Sequence, residues 1–223
     1  MLTLAIDSST TTLTLGLVRD EVILATSYGP TENNQSEVLI PIIEDIMKTR
    51  NLKPVDIEKI AVAVGPGSYT GIRVGVAVAK SLGYALDIPV TGVSSLEVMA
   101  MAAESGDICI PMIDARRGTV FAGAYDHDGT IIIPDGHYKI EKLIDKLSVF
   151  SYDVTFVGDG ATFHKEILLE KWPDAQIVSD FELGKSKTRA LVNLAIGRPP
   201  QENIHTLVPN YLRKTEAEMK ASV

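Results

Sequence analysis

The sequence GPGSYTGIRVGVAVAKSLG at Gly65–Gly83 carries the strongest indication of the fold of this chain. The β-branched run at Ile60–Val64 precedes it and predicts a buried strand. Two glycines then interrupt the strand, and an apolar pattern at helical spacing resumes at about Gly71. A strand, a glycine turn and a helix in this order offer backbone amides and a positive helix end to an anion such as phosphate. The same turn can also do no more than reverse the chain.

The length, charge and cysteine content exclude several classes of protein. With 223 residues the chain can form one large domain or two small ones. The balance of 21 basic and 29 acidic residues gives a net charge of −8, which argues against nucleic-acid binding as the main role of this chain. A single cysteine, Cys109, excludes a disulfide framework. The first apolar run is too short for a signal peptide or a membrane span, so we expect a cytoplasmic protein that does not contact membranes.

Apolar periodicity predicts strands and helices that alternate through the first half of the chain. Three strands come first, and then helices and strands follow in turn. The predicted elements are strands Leu2–Ile6, Thr12–Val18 and Val22–Ser27, a helix from about Asn34 to Lys48, strand Lys59–Val64, a helix to about Leu86, strand Ile88–Thr91 and a helix from Ser95 to about Glu104.

The second half repeats this pattern. The strand Cys109–Ile113 ends in Asp114, as Leu2–Ile6 ends in Asp7, and a glycine lies nine residues beyond each aspartate. We therefore expect an N-terminal lobe over residues 1–105, with the glycine turn and partner-binding helices, and a C-terminal lobe and tail over residues 106–223. Its further predicted elements are a hairpin through Asp128-Gly129 onto Thr130–Ile133, a helix at Ile140–Leu147, strand Val154–Val157 followed by a helix, and a last helix at Lys185–Ile196.

A duplicated α/β chain of this kind resembles the two-lobed actin, sugar-kinase and Hsp70 ATPase superfamily, the ASKHA fold related to RNase H. Members of that fold hold a nucleotide between the lobes, gripping phosphate with two acidic loops. The corresponding loops here are Asp7–Thr11, which lacks a glycine, and Asp114–Gly118, which carries two arginines. They suggest a vestigial nucleotide cleft, or a site shared with a partner, framed by Asp7, Ser8, Ser9, Gly65, Gly67, Ser68, Asp114 and Arg116.

Four stretches give a more specific resemblance. They are the long segment Gly65–Ala100, IDSST at Ile6–Thr10, DARRG at Asp114–Gly118 and PNYLR at Pro209–Arg213. Together they resemble the TsaB family, accessory proteins of tRNA threonylcarbamoyladenosine synthesis in the glycoprotease-like group. The resemblance implies a heterodimer with a TsaD-like paralogue, a TsaE-like ATPase as a further partner, a homodimer when alone, and contact with tRNA through the complex. It implies no cofactor for this chain alone, with ATP or ADP bound only in the complex.

The catalytic TsaD-like relatives carry two histidines four residues apart on one helix face, where they hold a divalent metal. Here the corresponding positions are Ser95 and Met99, and a hydroxyl with a thioether cannot replace two imidazoles. None of the four histidines lies three or four residues from another, and no His-Glu-x-x-His motif is present. The sequence therefore predicts no metal site, no catalytic residue and no peptidase activity.

Two helices carry enough apolar surface to suggest a docking face. The first has a broad apolar stripe, although Pro41 would kink it or mark its first turn. The second is apolar on nearly all sides, with a seam of small residues at Gly75, Ala79 and Gly83, and such a helix needs burial on two sides. Both helices could instead only cover the sheet of their own lobe. The predicted interface residues are Val38, Leu39, Ile42, Ile43, Ile46, Arg73, Val74, Ala77, Val78 and Ser81.

Two functions follow from these features. The preferred one is a non-catalytic scaffold that supports formation of N6-threonylcarbamoyladenosine at position 37 of tRNAs reading ANN codons, which the family resemblance implies. The alternative is an independent ATP-dependent kinase or ATPase of the actin-like fold, supported by the hydroxyl-rich loop after Asp7.

Overall fold

The computed structural model describes residues 1–31, 35–103, 106–149 and 153–213 of the chain. The first half forms a five-stranded mixed sheet in the order β3-β2-β1-β4-β5. Its first three strands form an antiparallel meander, β4 pairs with β1 in parallel, and β5 pairs with β4 in parallel. These strands are β1 Leu2–Asp7, β2 Thr12–Arg19, β3 Val22–Pro30, β4 Lys59–Ala63 and β5 Val90–Val93.

The second half repeats the sheet. Its strand order, β8-β7-β6-β9-β10, places the equivalent strands in the same positions and directions as in the first sheet. The duplication predicted from the sequence is therefore confirmed. The second sheet consists of β6 Ile108–Asp114, β7 Thr119–Asp126, β8 Ile131–Lys139, β9 Val154–Val157 and β10 Gln176–Val178, of which β10 was not predicted.

The helices agree with prediction except at their ends and after β9, where two short helices follow instead of the single predicted one. They are α1 Gln35–Lys48, α2 Tyr69–Leu86, α3 Ser95–Ala102, α4 Ile140–Leu147, α5 Asp159–Phe163, α6 Lys165–Lys171 and α7 Asp180–Ile196, with 3₁₀ turns at Pro54–Asp56 and Ile204–Thr206. The prediction that the last helix begins at Lys185 is wrong, because a Ser179–Glu182 capping box starts α7 earlier and Gly184 kinks it. The predicted termini at Asn34 and Glu104 lie outside the described residues. Among those residues, no helix is both long and apolar enough to cross a membrane.

Helix α2 lies directly on the first sheet. Ser68 caps it by accepting a hydrogen bond from Gly71 N at 3.2 Å. A Cβ at Gly75 would lie 2.3 Å from Ser8 Oγ, and one at Gly83 would lie 2.4 Å from Val90 Cγ2. The predicted seam of small residues is therefore buried against the chain's own sheet. Glycine at these positions permits close packing of α2 on the sheet.

The two halves of the chain exchange helices. Helix α3 comes from the first half yet packs on β6 and β7, whereas α7 comes from the second half and packs across the first sheet. The two helices also pack against each other, and one apolar cluster contains residues of both halves, including Met99, Phe121 and Leu191. Cys109 belongs to this cluster, and burial raises the pKa of its thiol to about 12. The lobe boundary at residue 105 stays a prediction.

Candidate functional site

A cavity of about 650 Å³ lies where the predicted phosphate-binding segments converge. The loop after β1, the glycine turn before α2 and the loop after β6 each form a wall, and the segment 210–213 forms another. Five residues of the cleft predicted from the sequence line this cavity: Ser9, Gly67, Ser68, Asp114 and Arg116. The other three, Asp7, Ser8 and Gly65, lie buried outside the lining.

Asp7 is closed off from the cavity by a buried ion pair. Lys187 Nζ from α7 lies 2.8 Å from Asp7 Oδ2 and 3.0 Å from Asp180 Oδ1, and each of the three side chains is less than 5% exposed. Burial by itself would lower the pKa of Lys187 and raise that of Asp180. The attraction between the opposite charges outweighs this effect of burial. The two carboxylates therefore raise the pKa of Lys187, and the Lys187 ammonium with the Thr10 hydroxyl lowers the pKa of Asp180. The site therefore contains an internal cation supplied by the chain itself.

The hydroxyls of the loop after β1 donate to protein acceptors. Ser9 donates to Asp7 Oδ1 through both its backbone N, at 3.0 Å, and its Oγ, at 2.6 Å. Thr10 Oγ1 donates to Asp180 Oδ2 at 2.6 Å, and Ser8 Oγ donates to Gly71 O at 2.8 Å. This loop is thus held in one conformation from behind, with the protons of all three hydroxyls directed away from the cavity.

The loop after β6 presents opposite charges at the cavity. Arg116 Nη1 lies 3.4 Å from Asp114 Oδ2, and the arginine side chain is 81% exposed. Asp114 N donates to Asp159 Oδ1 at 3.0 Å. Burial, with smaller contributions from the charges of Asp180 and Asp114, raises the pKa of Asp159. This wall can offer a guanidinium to an anion, but its carboxylates oppose a strongly negative ligand.

Ser95 and Met99 are both fully buried packing residues. Ser95 Oγ accepts a hydrogen bond from Gly65 N at 3.1 Å, and Ser95 N donates to Gly65 O at 3.0 Å, so this serine fixes the start of the glycine turn. Met99 Cε lies 2.4 Å from where a Cβ at Gly158 would stand, so its methyl group fills the space over that glycine. Over the described parts of the chain, no three His, Cys, Asp or Glu side chains converge to hold a metal ion.

The predicted docking residues divide into three groups. Arg73, Ala77 and Ser81 are exposed on the outer face of α2, and Val38, Ile42, Val74 and Val78 are half-buried on α1 and α2. Leu39, Ile43 and Ile46 are at most 5% exposed and pack in the core of the first half. The prediction that these three residues form a docking interface is wrong, because the inner side of the apolar stripe on α1 faces the chain's own sheet. Pro41 lies inside α1 on its exposed side.

The sequence of the chain is similar to those of known proteins. Residues 30–221 match the family described as TsaD, tRNA N6-adenosine threonylcarbamoyltransferase. A Bacillus subtilis tRNA threonylcarbamoyladenosine biosynthesis protein TsaB is 34% identical to the chain, over 99% of the chain and 97% of its own length. The chain belongs to the TsaB family. This membership supports a role in forming tRNA threonylcarbamoyladenosine.

Solved structures confirm the fold. YeaZ from Pseudomonas aeruginosa superposes with a TM-score of 0.77 at 23% identity, covering 95% of this chain and 99% of its own. The activator of 2-hydroxyisocaproyl-CoA dehydratase from Clostridium difficile, solved with bound ADPNP, gives a TM-score of 0.51 at 13% identity, with 88% and 95% covered. The TsaB-family chain therefore has the duplicated, two-lobed actin-like fold expected from its sequence.

Two features of this TsaB-family site were not predicted. One is the Lys187–Asp180 pair. The sequence does indicate this pair, because Lys187 falls at helical spacing between the buried residues Leu183 and Leu191. A lysine buried at such a position needs an oppositely charged partner. The other is the position of the PNYLR motif, which lines the cavity although it is distant in sequence from the other walls.

Proposed function

We propose that this chain is the non-catalytic subunit of a complex that forms N6-threonylcarbamoyladenosine at position 37 of tRNAs reading ANN codons. In this proposal it binds a TsaD-like catalytic subunit, a TsaE-like ATPase joins the pair, and tRNA meets the complex rather than this chain alone. Any ATP or ADP is bound by the complex. The observation that carries the proposal is the closure of Asp7 by Lys187 inside the protein.

An independent kinase or ATPase would need Asp7 to reach a nucleotide phosphate or its cation. One oxygen of Asp7 accepts hydrogen bonds from Ser9, and the other faces the Lys187 ammonium. Withdrawing the ammonium would leave Asp7 and Asp180 as uncompensated buried charges, which is strongly unfavourable. The buried positions of Ser95 and Met99 further support a subunit without its own metal centre.

The outer face of α2 is suited to pairing with a helix of another subunit. Ala77 and Ser81 are small, exposed and one helical turn apart, so a partner helix can approach closely. Val74 and Val78 lie half-buried beside them, and Val38 and Ile42 of α1 add further apolar area. A TsaD-like paralogue of the same fold would use its equivalent helices, and a second copy would occupy the face in a homodimer. Such a subunit activates its partner by binding the active conformation better than the inactive one.

The interface is tested by co-purification with a TsaD-like protein. Ala77→Asp places a charge on an exposed position, and Val78→Asp places one in the apolar strip beside it. Both should weaken binding by about tenfold or more, because a carboxylate would be desolvated in the interface. Val55→Asp is the matched control, since Val55 is 77% exposed in a 3₁₀ turn outside the face. Unchanged binding by both α2 variants would exclude this face.

The pathway is tested separately by depleting the protein and analysing the nucleosides of bulk tRNA. The proposal predicts loss of threonylcarbamoyladenosine, restored by wild type and not by Ala77→Asp. Normal levels of the nucleoside after depletion would contradict the proposed function whatever the binding experiment shows.

A further inference from the structure

The chain segment Leu207–Arg213, called the strap below, contains the PNYLR motif and connects the two halves of the molecule. Its first residue is anchored in the first half: Leu207 is 5% exposed within the core beneath α2. Lys80 Nζ of α2 donates to Leu207 O at 3.0 Å and to His205 O at 2.9 Å. The next residue, Val208, is 64% exposed, so the buried anchor ends there.

The middle of the strap lies on the glycine turn. Asn210 N donates to Val64 O at 2.7 Å, at the end of β4. Asn210 O faces Gly65, where a Cβ would lie only 2.9 Å away. Gly65 has a φ of 105°, which disfavours any other residue, so the turn is built to let the strap backbone approach. The Tyr211 ring packs against Tyr69 of α2, with centroids 5.2 Å apart.

The end of the strap reaches the second half. Leu212 packs against the apolar cluster shared by both halves. Arg213 Nη1 donates to Ala115 O at 3.1 Å, in the loop that also carries Asp114 and Arg116. Residues 210–213 line the cavity over this course, so the strap runs along the cleft from one wall to the other.

We propose that the strap is an intramolecular latch that sets the width of the cleft. Leu207 is its fixed end, and Tyr211 and Arg213 are its releasable end: Tyr211 is 44% exposed and Arg213 only half-buried. Closed, it holds the turn at Gly65–Ser68 and the loop at Ala115–Gly118 at one separation. Releasing the Tyr211 and Arg213 contacts lets the two walls move apart while the core beneath α2 stays packed. This inference does not depend on the proposed function.

Hydrogen exchange of the full chain, followed by mass spectrometry, tests the latch. The double variant Tyr211→Ala/Arg213→Ala should exchange about tenfold faster or more in peptides covering Gly65–Ser68, Ala115–Gly118 and the Asn210 amide, because these segments would open locally. Peptides from α4 and β8 should exchange as in wild type. The matched control is Tyr28→Ala/Arg19→Ala, which removes one exposed ring contact, to Phe181, and one exposed arginine outside the cleft.

Wild-type exchange in all three segments of the double variant would overturn the proposal. Acceleration spread uniformly over the chain, α4 and β8 included, would overturn it as well, since the strap would then contribute only to global stability. If the double variant does not fold, Arg213→Ala alone takes its place, because it removes the contact to Ala115 O and keeps the Tyr211 ring on Tyr69. The expected pattern is then faster exchange at Ala115–Gly118, with the same two contradicting results.

Discussion

Replacing Lys187 by methionine tests how the cleft is built. The substitution keeps an unbranched side chain of similar length but removes the ammonium between Asp7 and Asp180. Both carboxylates are at most 4% exposed and would stay buried without a counter-charge. Breaking a buried ion pair from one side costs about 3–5 kcal/mol. At roughly 2–4 °C per kcal/mol for a chain of this size, the melting temperature should fall by roughly 6–20 °C.

The assay is urea unfolding beside a thermal melt, with Lys185→Met as the control. Lys185 is on the same helix but exposed, so its variant should stay within about 0.5 kcal/mol of wild type. In Lys187→Met the loss of the counter-charge raises the folded-state pKa of the buried carboxylates, so they take up protons on folding. The loss of stability should therefore be smaller at about pH 5 than at about pH 8. Adding Asp180→Asn should recover part of the loss, because one uncompensated charge is removed.

The reasoning is refuted if the free energy of unfolding of Lys187→Met lies within about 1 kcal/mol of wild type, or if the variant is equally destabilised at both pH values. Either result would mean that Lys187 does not neutralise the two buried carboxylates. In the wild type the folded pKa of Asp180 is lowered from 3.8. Its contribution to stability is full above that ordinary value and is lost as the pH falls through the folded pKa. The raised pKa of Lys187 means that its contribution is present at neutral pH and is lost only at alkaline pH above its ordinary value of 10.5.

Three further substitutions test the walls of the cleft. Gly65→Ala should cost about 1–3 kcal/mol in urea unfolding, because the residue has positive φ and its Cβ would meet Asn210 O; a neutral effect would mean that the strap is not seated there. Ser95→Ala should cost about 1–3 kcal/mol, since it leaves the buried Gly65 N–H without an acceptor, and an unchanged midpoint would contradict that role. Asp159→Asn should raise stability at neutral pH and lose this advantage below about pH 4, because a raised folded pKa makes the charged aspartate unfavourable. Equal stability of Asp159→Asn and wild type at neutral pH would count against the burial argument.

The sequence predicts most of the fold because its signals are local. The repeated strand–aspartate and strand–glycine patterns mark both sheets, and the structure contains both in the same strand order. The strand β10 was missed because three residues, Gln176–Val178, are too few for a periodic signal. The early start of α7 was missed because Gly184 interrupts its helical pattern. The crossing of α3 and α7 between the halves depends on contacts distant in sequence, which a single chain's periodicity does not reveal.

The candidate site was predictable in part, for the same reason. The three loops were found because each follows an apolar strand, and the fold brings them to one cavity. Which hydroxyls face a ligand was not predictable, since it depends on Asp180 and Lys187, which lie 170 and 180 residues from Thr10 and Asp7, the loop residues that they contact. Leu39, Ile43 and Ile46 were assigned to a partner because an apolar stripe has the same spacing whether it faces a sheet or another subunit.

In the proposed function the chain acts by docking and not by its own chemistry. Measuring ATP hydrolysis and tRNA threonylcarbamoylation with the purified chain alone, and again after adding a TsaD-like subunit and a TsaE-like ATPase, distinguishes the two. The account predicts neither activity from the isolated chain and both from the complex, with Ala77→Asp preventing the gain. Turnover of ATP by the isolated chain that Asp7→Ala or Asp114→Ala abolishes would contradict it and establish the kinase or ATPase alternative.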